Sequence, residues 1–312
     1  MASIPDWAER IRAGDVRALA RAATAIENQT PEGIELLALL GDGEGMLIGI
    51  TGPPGAGKSS LVDALVKEIR QRGKTVGILA VDPTSRMTGG AIMGDRIRMQ
   101  QHHGDPGVYI RSMATRGASG GLARATADLA FLLRGAGFDY VLIETVGVGQ
   151  DEIEIAGLAD VTVLVLVPGM GDDVQAIKAG IMEIANIFVI NKADHAGADR
   201  TEAEIRAEAI CGAPILRTVA THGTGVAELL DAMNGIGTST RRPFAIDSIG
   251  VALRALEQAL GSIQIHHVAI RVRDFEAILN RLKKSGARLS ETGEPSHIIV
   301  QTNGVPLEIT AE

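Results

Sequence analysis

Residues 52–59 read GPPGAGKS, preceded by the apolar hexapeptide MLIGIT (46–51) and opening the amphipathic stretch SSLVDALVKEIRQRG (59–73). This match to G-x-x-x-x-G-K-[ST] constrains the fold more than any other feature, because the loop works only where a strand delivers it to a helix N-terminus. Its glycines let backbone N–H groups turn inward around phosphate oxygens, and the helix start adds partial positive charge. Pro54, Gly55, Ala56, Gly57, Lys58, Ser59 and Ser60 are therefore the expected phosphate-binding residues. Lys58 is expected to reach the β and γ phosphates, and the Ser59 hydroxyl to ligate Mg²⁺.

The rest of the chain repeats the same strand–helix unit. Short apolar runs occur at 46–51, TVGILAV (75–81), VYIR (108–111), YVLIE (140–144), VTVLVLV (161–167), IFVIN (187–191) and PILRT (214–218). Continuous apolar runs of this length fit strands buried on both faces. Amphipathic stretches between them, such as GGLARATADLAFLLRGAG, imply right-handed crossovers and a mostly parallel, doubly wound α/β sheet of the P-loop NTPase class. Such sheets bind ligands beyond the carboxyl ends of their strands.

Ahead of this domain, WAERIRAGDVRALARAATAIENQ places Ile11, Val16, Leu19 and Ala22 at helical spacing, with Asp15 as a candidate N-cap. NGIGTSTRRP (234–243) reads as a linker-like break and IDSIGVALRALEQAL (246–260) as a helix. The expected organisation is a helical extension over 1–42, a P-loop domain over 43–240, a linker helix over 241–262 and a βαββ unit over 263–312. The last consists of strand IHHVAIRV, helix DFEAILNRLKKSG, and strands HIIVQT and PLEIT. It is too small to hold a core alone, so docking or dimerisation is expected of it.

A second motif specifies the base. Asn191-Lys192-Ala193-Asp194 follows a buried strand and reads N-K-x-D. An aspartate there accepts hydrogen bonds from the ring N–H and exocyclic amine of guanine, and adenine would leave it unpaired. Selection of that kind can reach about 10⁴-fold. Val219, Ala220 and Thr221, after the next strand, are candidates for backbone contact with the guanine oxygen. For metal and switch, Glu144-Thr145-Val146-Gly147 places an acid three residues before a glycine at a strand end. Gly147 N–H is expected to sense the γ phosphate. Glu144, Asp82 and Asp95 join Ser59 as candidate Mg²⁺ ligands. Gln150 is the one glutamine near Glu144 that could orient water. Intrinsic hydrolysis is expected to be slow and partner-stimulated, as in GTPases that gain about 10³–10⁵-fold from a partner's charge.

Composition narrows the partners. The formal net charge is −8 and the pI about 5.5, which argues against nucleic acid or an anionic membrane. One cysteine, Cys211, excludes an intrachain disulfide and fits a reducing compartment. No signal peptide is evident at the start, and no run approaches the roughly 20 residues of a spanning helix. A cytoplasmic location is expected.

The blocks GITGPPGAGKSSLVDAL, LAVDPTSRMTGGAIMGDRIRM, VLIETVGVGQDE, VPGMGDDVQAIKAGIMEIA and VINKAD together resemble the methylmalonyl-CoA mutase-associated G proteins over roughly residues 8–235. The resemblance implies a G-protein chaperone that gates loading of adenosylcobalamin into an acyl-CoA mutase and protects or repairs it, using GTP as timing signal. Adenosylcobalamin would be held by the mutase, not by this chain. By the same resemblance Asp172, Asp173, Gln175 and Lys178, in PGMGDDVQAIKAG, belong to a partner-coupling switch, with Lys178 in GTPase stimulation and Lys58, Asp82 and Glu144 as the other catalytic residues. The family usually ends in a helical arm that makes a homodimer. Here residues 263–312 resemble instead half of a methylmalonyl-CoA epimerase, a vicinal-oxygen-chelate module, with His267 and Glu308 at its ligand positions. A homodimer remains expected, with its geometry open. Methylmalonyl-CoA mutase and 2-hydroxyisobutyryl-CoA mutase are both candidate clients. Two alternatives stand beside this reading. A P-loop kinase or ATPase would not need Asn191 and Asp194. A nickel-insertion GTPase would use Cys and His ligands, for which the pairs His102-His103 and His266-His267 are the candidates.

Overall fold

A computed structural model of the chain describes residues 3–82, 102, 104–114, 121–145, 158–169, 182, 185–208 and 212–240, with strand segments 268–272, 288–291, 297–301 and 307–311. The chain divides into two compact units, Met1–Ser248 and Ile249–Glu312.

The first unit opens with three helices, α1 (Ile4–Arg12), α2 (Val16–Glu27) and α3 (Pro31–Leu40). Each starts on a side-chain cap. Ser3 and Asp6 form a capping box, Asp15 accepts from the Arg17 and Ala18 N–H groups, and Thr30 accepts from Gly33 N–H. Trp7 Nε1 donates to Ala18 O at 3.0 Å, pinning α1 to α2. Of the expected apolar stripe, Ile11, Leu19 and Ala22 are buried, but Val16 is 49% exposed. Val16 directly follows the cap residue, where the first turn has not yet rotated toward the core.

These helices are welded to the domain that follows. A Cβ on Gly43 would lie 1.9 Å from Arg134 O, and one on Gly45 would lie 2.1 Å from Phe138 O. Only glycine allows that backbone approach. Arg134 adds bonds to Gly43 O and Asp42, and Arg111 pairs with Glu27 of α2.

Seven strands follow: β1 (Met46–Thr51), β2 (Val76–Asp82), β3 (Val108–Ala114), β4 (Tyr140–Glu144), β5 (Val161–Leu166), β6 (Ile187–Asn191) and β7 (Ile215–Thr218). Helices α4 (Lys58–Gln71), α5 (Gly121–Gly135), α6 (Ala198–Glu208) and α7 (Val226–Thr240) are interleaved with them. The sheet order is β3-β2-β4-β1-β5-β6-β7, and every pairing is parallel. This is the doubly wound α/β P-loop fold. Strand β3 outlasts its apolar run because β2 keeps pairing to Asp82↔Ala114. Residues 234–240, expected as a break, instead complete α7.

Residue parity in the strands sorts the core. Val161, Val163 and Val165 of β5 join a cluster with Leu61, Leu65 and Ile69 of α4 and Leu229, Leu230 and Met233 of α7. Leu164 and Leu166 point the other way, to Phe188, Ile190 and Ile205. Both faces are covered, which is why the strand sequences show no polar alternation.

The second unit is a four-stranded sheet, β8 (Val268–Val272), β9 (Arg288–Glu291), β10 (His297–Gln301) and β11 (Leu307–Ala311), ordered β8-β11-β10-β9. β8 and β11 are parallel, and the other pairs are antiparallel. The expected βαββ pattern lacks β9. Its sequence, RLSE, carries one large apolar residue and is a strand by virtue of pairing with β10. The expected helices at 246–260 and 274–286 lie outside the described residues.

Candidate nucleotide site

The first sheet places its motifs at one end, beyond the carboxyl ends of β1, β4, β6 and β7. The chain leaves β1 at Thr51 and turns at Gly52 (φ +141°), where a Cβ would sit 2.1 Å from Val165 O on the neighbouring strand. The loop closes on itself through Ala56 N–H to Pro53 O at 3.2 Å. Gly55 and Gly57 both have positive φ, and α4 starts at Lys58. A Cβ on Gly57 would stand 2.5 Å from Asn191 Nδ2. The last glycine of the loop is therefore required by the base motif as well as by the turn.

Lys58 is buried, and its Nζ donates to Gly52 O (2.7 Å) and Pro53 O (3.1 Å). The ammonium is thus folded over the loop that it would serve. Pro54, Gly55 and Ser60 are exposed, whereas Ala56 is buried. Ser59 Oγ donates to Glu144 Oε1 at 2.6 Å. Glu144 is buried at the end of β4, in register with Ile50 of β1 and Ala80 of β2. Asp82 ends β2, two residues beyond that register partner. A hydroxyl and a buried carboxylate in contact make an all-oxygen donor pair, which suits Mg²⁺ rather than a soft metal. Thr51 Oγ1, at the root of the loop, is buried and has no hydrogen-bond partner among the described residues.

Asn191, at the end of β6, is 2% exposed and ties the motifs together. Its Nδ2 donates to Ala56 O at 2.9 Å, across 135 residues of sequence. Its Oδ1 accepts from Thr218 Oγ1 (3.1 Å) and Ala220 N–H (3.2 Å). Lys192 has φ +55° and reaches Gly55 O with its Nζ at 3.0 Å. Asp194 is exposed beside it. The Val219–Ala220–Thr221 segment is held by the Val219↔Thr224 bridge and a 3₁₀ turn over Ala220–His222. Phosphate loop and base motif are thus one hydrogen-bonded frame. Sequence reasoning missed Thr218, whose only signal was its place at the end of a strand just before the 219–221 segment.

Helix α4 is held from the side at two points seven residues apart. His102 Nε2 lies 2.8 Å from Asp63 Oδ1, and Arg70 makes two bonds of 2.8 Å to Asp105. The Arg70 guanidinium, with help from Gly107 N–H, keeps the Asp105 carboxyl below its ordinary range. Asp95, Gly147, Asp172, Asp173, Gln175 and Lys178 lie outside the described residues, as do Gln150, Cys211, His103, His266 and His267.

Residues 19–242 match the family model described as methylmalonyl Co-A mutase-associated GTPase MeaB. The chain belongs to this family. The protein is accordingly a GTPase, and GTP is its nucleotide. A Pyrococcus abyssi protein named as a GTPase is 52% identical over 240 residues, covering 73% of this chain and 74% of its own. A Mycobacterium tuberculosis protein named as a GTPase is 44% identical over 250 residues, 74% of each chain. The Caenorhabditis elegans methylmalonic aciduria type A homolog, a mitochondrial protein, is 41% identical over 214 residues, covering 62% of this chain and 54% of its own. Among solved structures, a LAO/AO transport system kinase superposes with a TM-score of 0.61 at 25% identity, over 90% of this chain and 86% of its own. The family match ends at residue 242, so the four-stranded second unit is an addition outside it. Among the described residues no helix is long and apolar enough to cross a membrane.

Proposed function

We propose that the chain is a cytoplasmic chaperone that uses GTP binding and hydrolysis to gate adenosylcobalamin loading into an acyl-CoA mutase, and to protect or repair that enzyme. The observation that carries this reading is the family match across residues 19–242, a family named for its association with methylmalonyl-CoA mutase. In this reading Lys58 exchanges its two loop carbonyls for the β and γ phosphates, a swap of neutral for charged acceptors that strengthens each bond. Ser59, Asp82, Asp95 and Glu144 are the residues that would hold Mg²⁺, which when bound supplies charge neutralisation at the β and γ phosphates. The backbone of 54–60 cradles the phosphates, Gly147 reads the γ phosphate, and Asp194 selects guanine with Lys192 and the 219–221 segment flanking it.

Asp172, Asp173, Gln175 and Lys178 form the switch that meets the mutase, and Lys178 contributes to stimulation of a slow intrinsic rate. The helical extension (1–42) and P-loop domain (43–240) act as the G protein. A linker helix (241–262) leads to the module at 263–312, which serves homodimerisation or docking. The decisive experiment measures GTP hydrolysis with and without each candidate adenosylcobalamin mutase. Stimulation of at least about 10-fold by one of them is expected, and intact GTP binding with no stimulation by any would refute the chaperone assignment.

A further inference from the structure

Strand β1 is apolar from Met46 to Ile50 and ends on a single hydroxyl, Thr51. Strand parity fixes the side on which that hydroxyl lies. Ile48 and Ile50 join the cluster on α4 and α7, so Thr51 faces the other side of the sheet with its register partner Leu164. The residue is 1% exposed, and its Oγ1 has no hydrogen-bond partner among the described residues. A buried hydroxyl in that state has given up water and gained no bond in return. Valine has nearly the same shape and would avoid the loss.

Thr145 stands beside it. The β1–β4 ladder reaches Ile50↔Glu144 and continues as Thr145 N–H donates to Ile50 O at 3.1 Å, which sets Thr145 level with Thr51. Glu144 turns toward Ser59 of α4, so Thr145 takes the opposite face, the one Thr51 occupies. Thr145 is buried, and its hydroxyl donates over 3.4 Å to the same Ile50 O that its own N–H already uses. That is well beyond the roughly 2.7–2.8 Å usual for an O–H···O bond. A weakly held donor and an unused acceptor thus sit at neighbouring strand ends, where the phosphate loop and the Glu144–Gly147 segment begin.

We propose that Thr51 is a positioning residue for the GTP-bound state, whose Oγ1 accepts the Thr145 hydroxyl when the γ phosphate is present and so ties the end of β4 to the phosphate-loop strand. Without the γ phosphate, Thr145 stays on Ile50 O and Thr51 stays unpaired. The bond therefore favours GTP over GDP. The inference rests on the reading of Gly147, two residues beyond Thr145, as the γ-phosphate contact. Thr51 touches no part of the nucleotide in this scheme and acts through Thr145.

The test uses the full chain with Thr51→Val, which removes the hydroxyl, Thr51→Ser, which keeps it, and Thr145→Val, which removes the donor. Affinity is measured for a non-hydrolysable GTP analogue and for GDP, both with Mg²⁺, beside the melting temperature of the nucleotide-free protein. Thr51→Val is expected to raise Kd for the analogue by about 5- to 10-fold, the scale of one buried hydrogen bond, and to leave Kd for GDP within about twofold. Its nucleotide-free melting temperature should not fall, because valine removes an unpaired group. Thr51→Ser should restore analogue binding. Thr145→Val should reproduce the loss, with the double variant no worse than either single one, since both remove the same bond. Unchanged analogue affinity in Thr51→Val would overturn the proposal. So would an equal loss for GDP, additive losses in the double variant, or failure of Thr51→Ser to rescue. A lower nucleotide-free melting temperature in Thr51→Val would also overturn it, by making the hydroxyl a support of the fold. Gly147→Ala, assayed in parallel, separates the two layers. Without a selective loss of the analogue over GDP there, the γ-phosphate reading itself fails, and the proposal with it. With that loss present and Thr51→Val silent, only the positioning role fails.

Discussion

The two sheets of this protein are built on opposite plans. The first has seven parallel strands with helices packed on both faces, and its inner strands are almost wholly apolar. The second has four short strands in mixed pairing, whose sequences mix apolar with polar or charged residues. A parallel sheet cannot be closed by hairpins, so each crossover helix covers it and both faces dry out. Antiparallel pairs, such as β9-β10 and β10-β11, can be joined by hairpins and need no such cover. The first plan produces a ligand site at the strand ends as a by-product of its topology.

Substitutions can break or sharpen that contrast. The largest effect is expected at the strand-end site of the first sheet. Lys58→Ala removes the phosphate counter-charge, and GTP affinity should fall by roughly 1,000-fold, from the loss of two charge-assisted bonds; wild-type affinity in a binding titration would remove the site from this loop. Gly57→Ala comes next. It combines a positive φ with a 2.5 Å approach to Asn191, so nucleotide binding should weaken by about 10- to 100-fold. If calorimetry finds GTP bound as tightly as before, the loop and base motif are not one frame.

Deleting residues 263–312 should change GTP hydrolysis by less than about twofold while abolishing self-association, if the module serves dimerisation and the nucleotide site belongs to the first unit alone. A light-scattering mass per complex that merely loses the tail's own share would place the dimer contact in the first unit.

The smallest effect is on acid stability. Asp105 has a depressed carboxyl pKa in the folded protein, so its pairing with Arg70 stabilises the fold above the unfolded value near 4 and is lost as pH falls through the lower folded value. Asp105→Asn should cost about 1 kcal/mol at neutral pH, with the gap to wild type closing below about pH 4. Denaturant melts at pH 7 and pH 3 that show equal gaps would contradict this.

Legibility from sequence followed the same division. The inner strands of the first sheet were readable because burial on both faces writes an uninterrupted apolar run, such as VTVLVL or IFVIN. In the second sheet RLSE was not readable. Its strand state comes from four pairings with β10, and nothing in those four residues differs from a loop. The segment NGIGTST looked like a break on composition, yet α7 continues through it to Thr240. Packing of that helix on α4 outweighs roughly 1 kcal/mol per glycine.

What the amino-acid sequence determined by itself is local: a loop of fixed glycine spacing between strand and helix, an N-K-x-D tetrapeptide at a strand end, and the strand–helix alternation that makes the sheet parallel. These follow from backbone conformation and hydrogen-bonding chemistry within a few residues of each other. What only the tertiary structure decided is the long-range geometry. The order β3-β2-β4-β1-β5-β6-β7 puts β1 between β4 and β5, brings Glu144 against Ser59, and sets Asn191 between Ala56 and Thr218. Those contacts join residues far apart in the chain. Their partners are chosen by which strands lie side by side, and no local pattern encodes that choice.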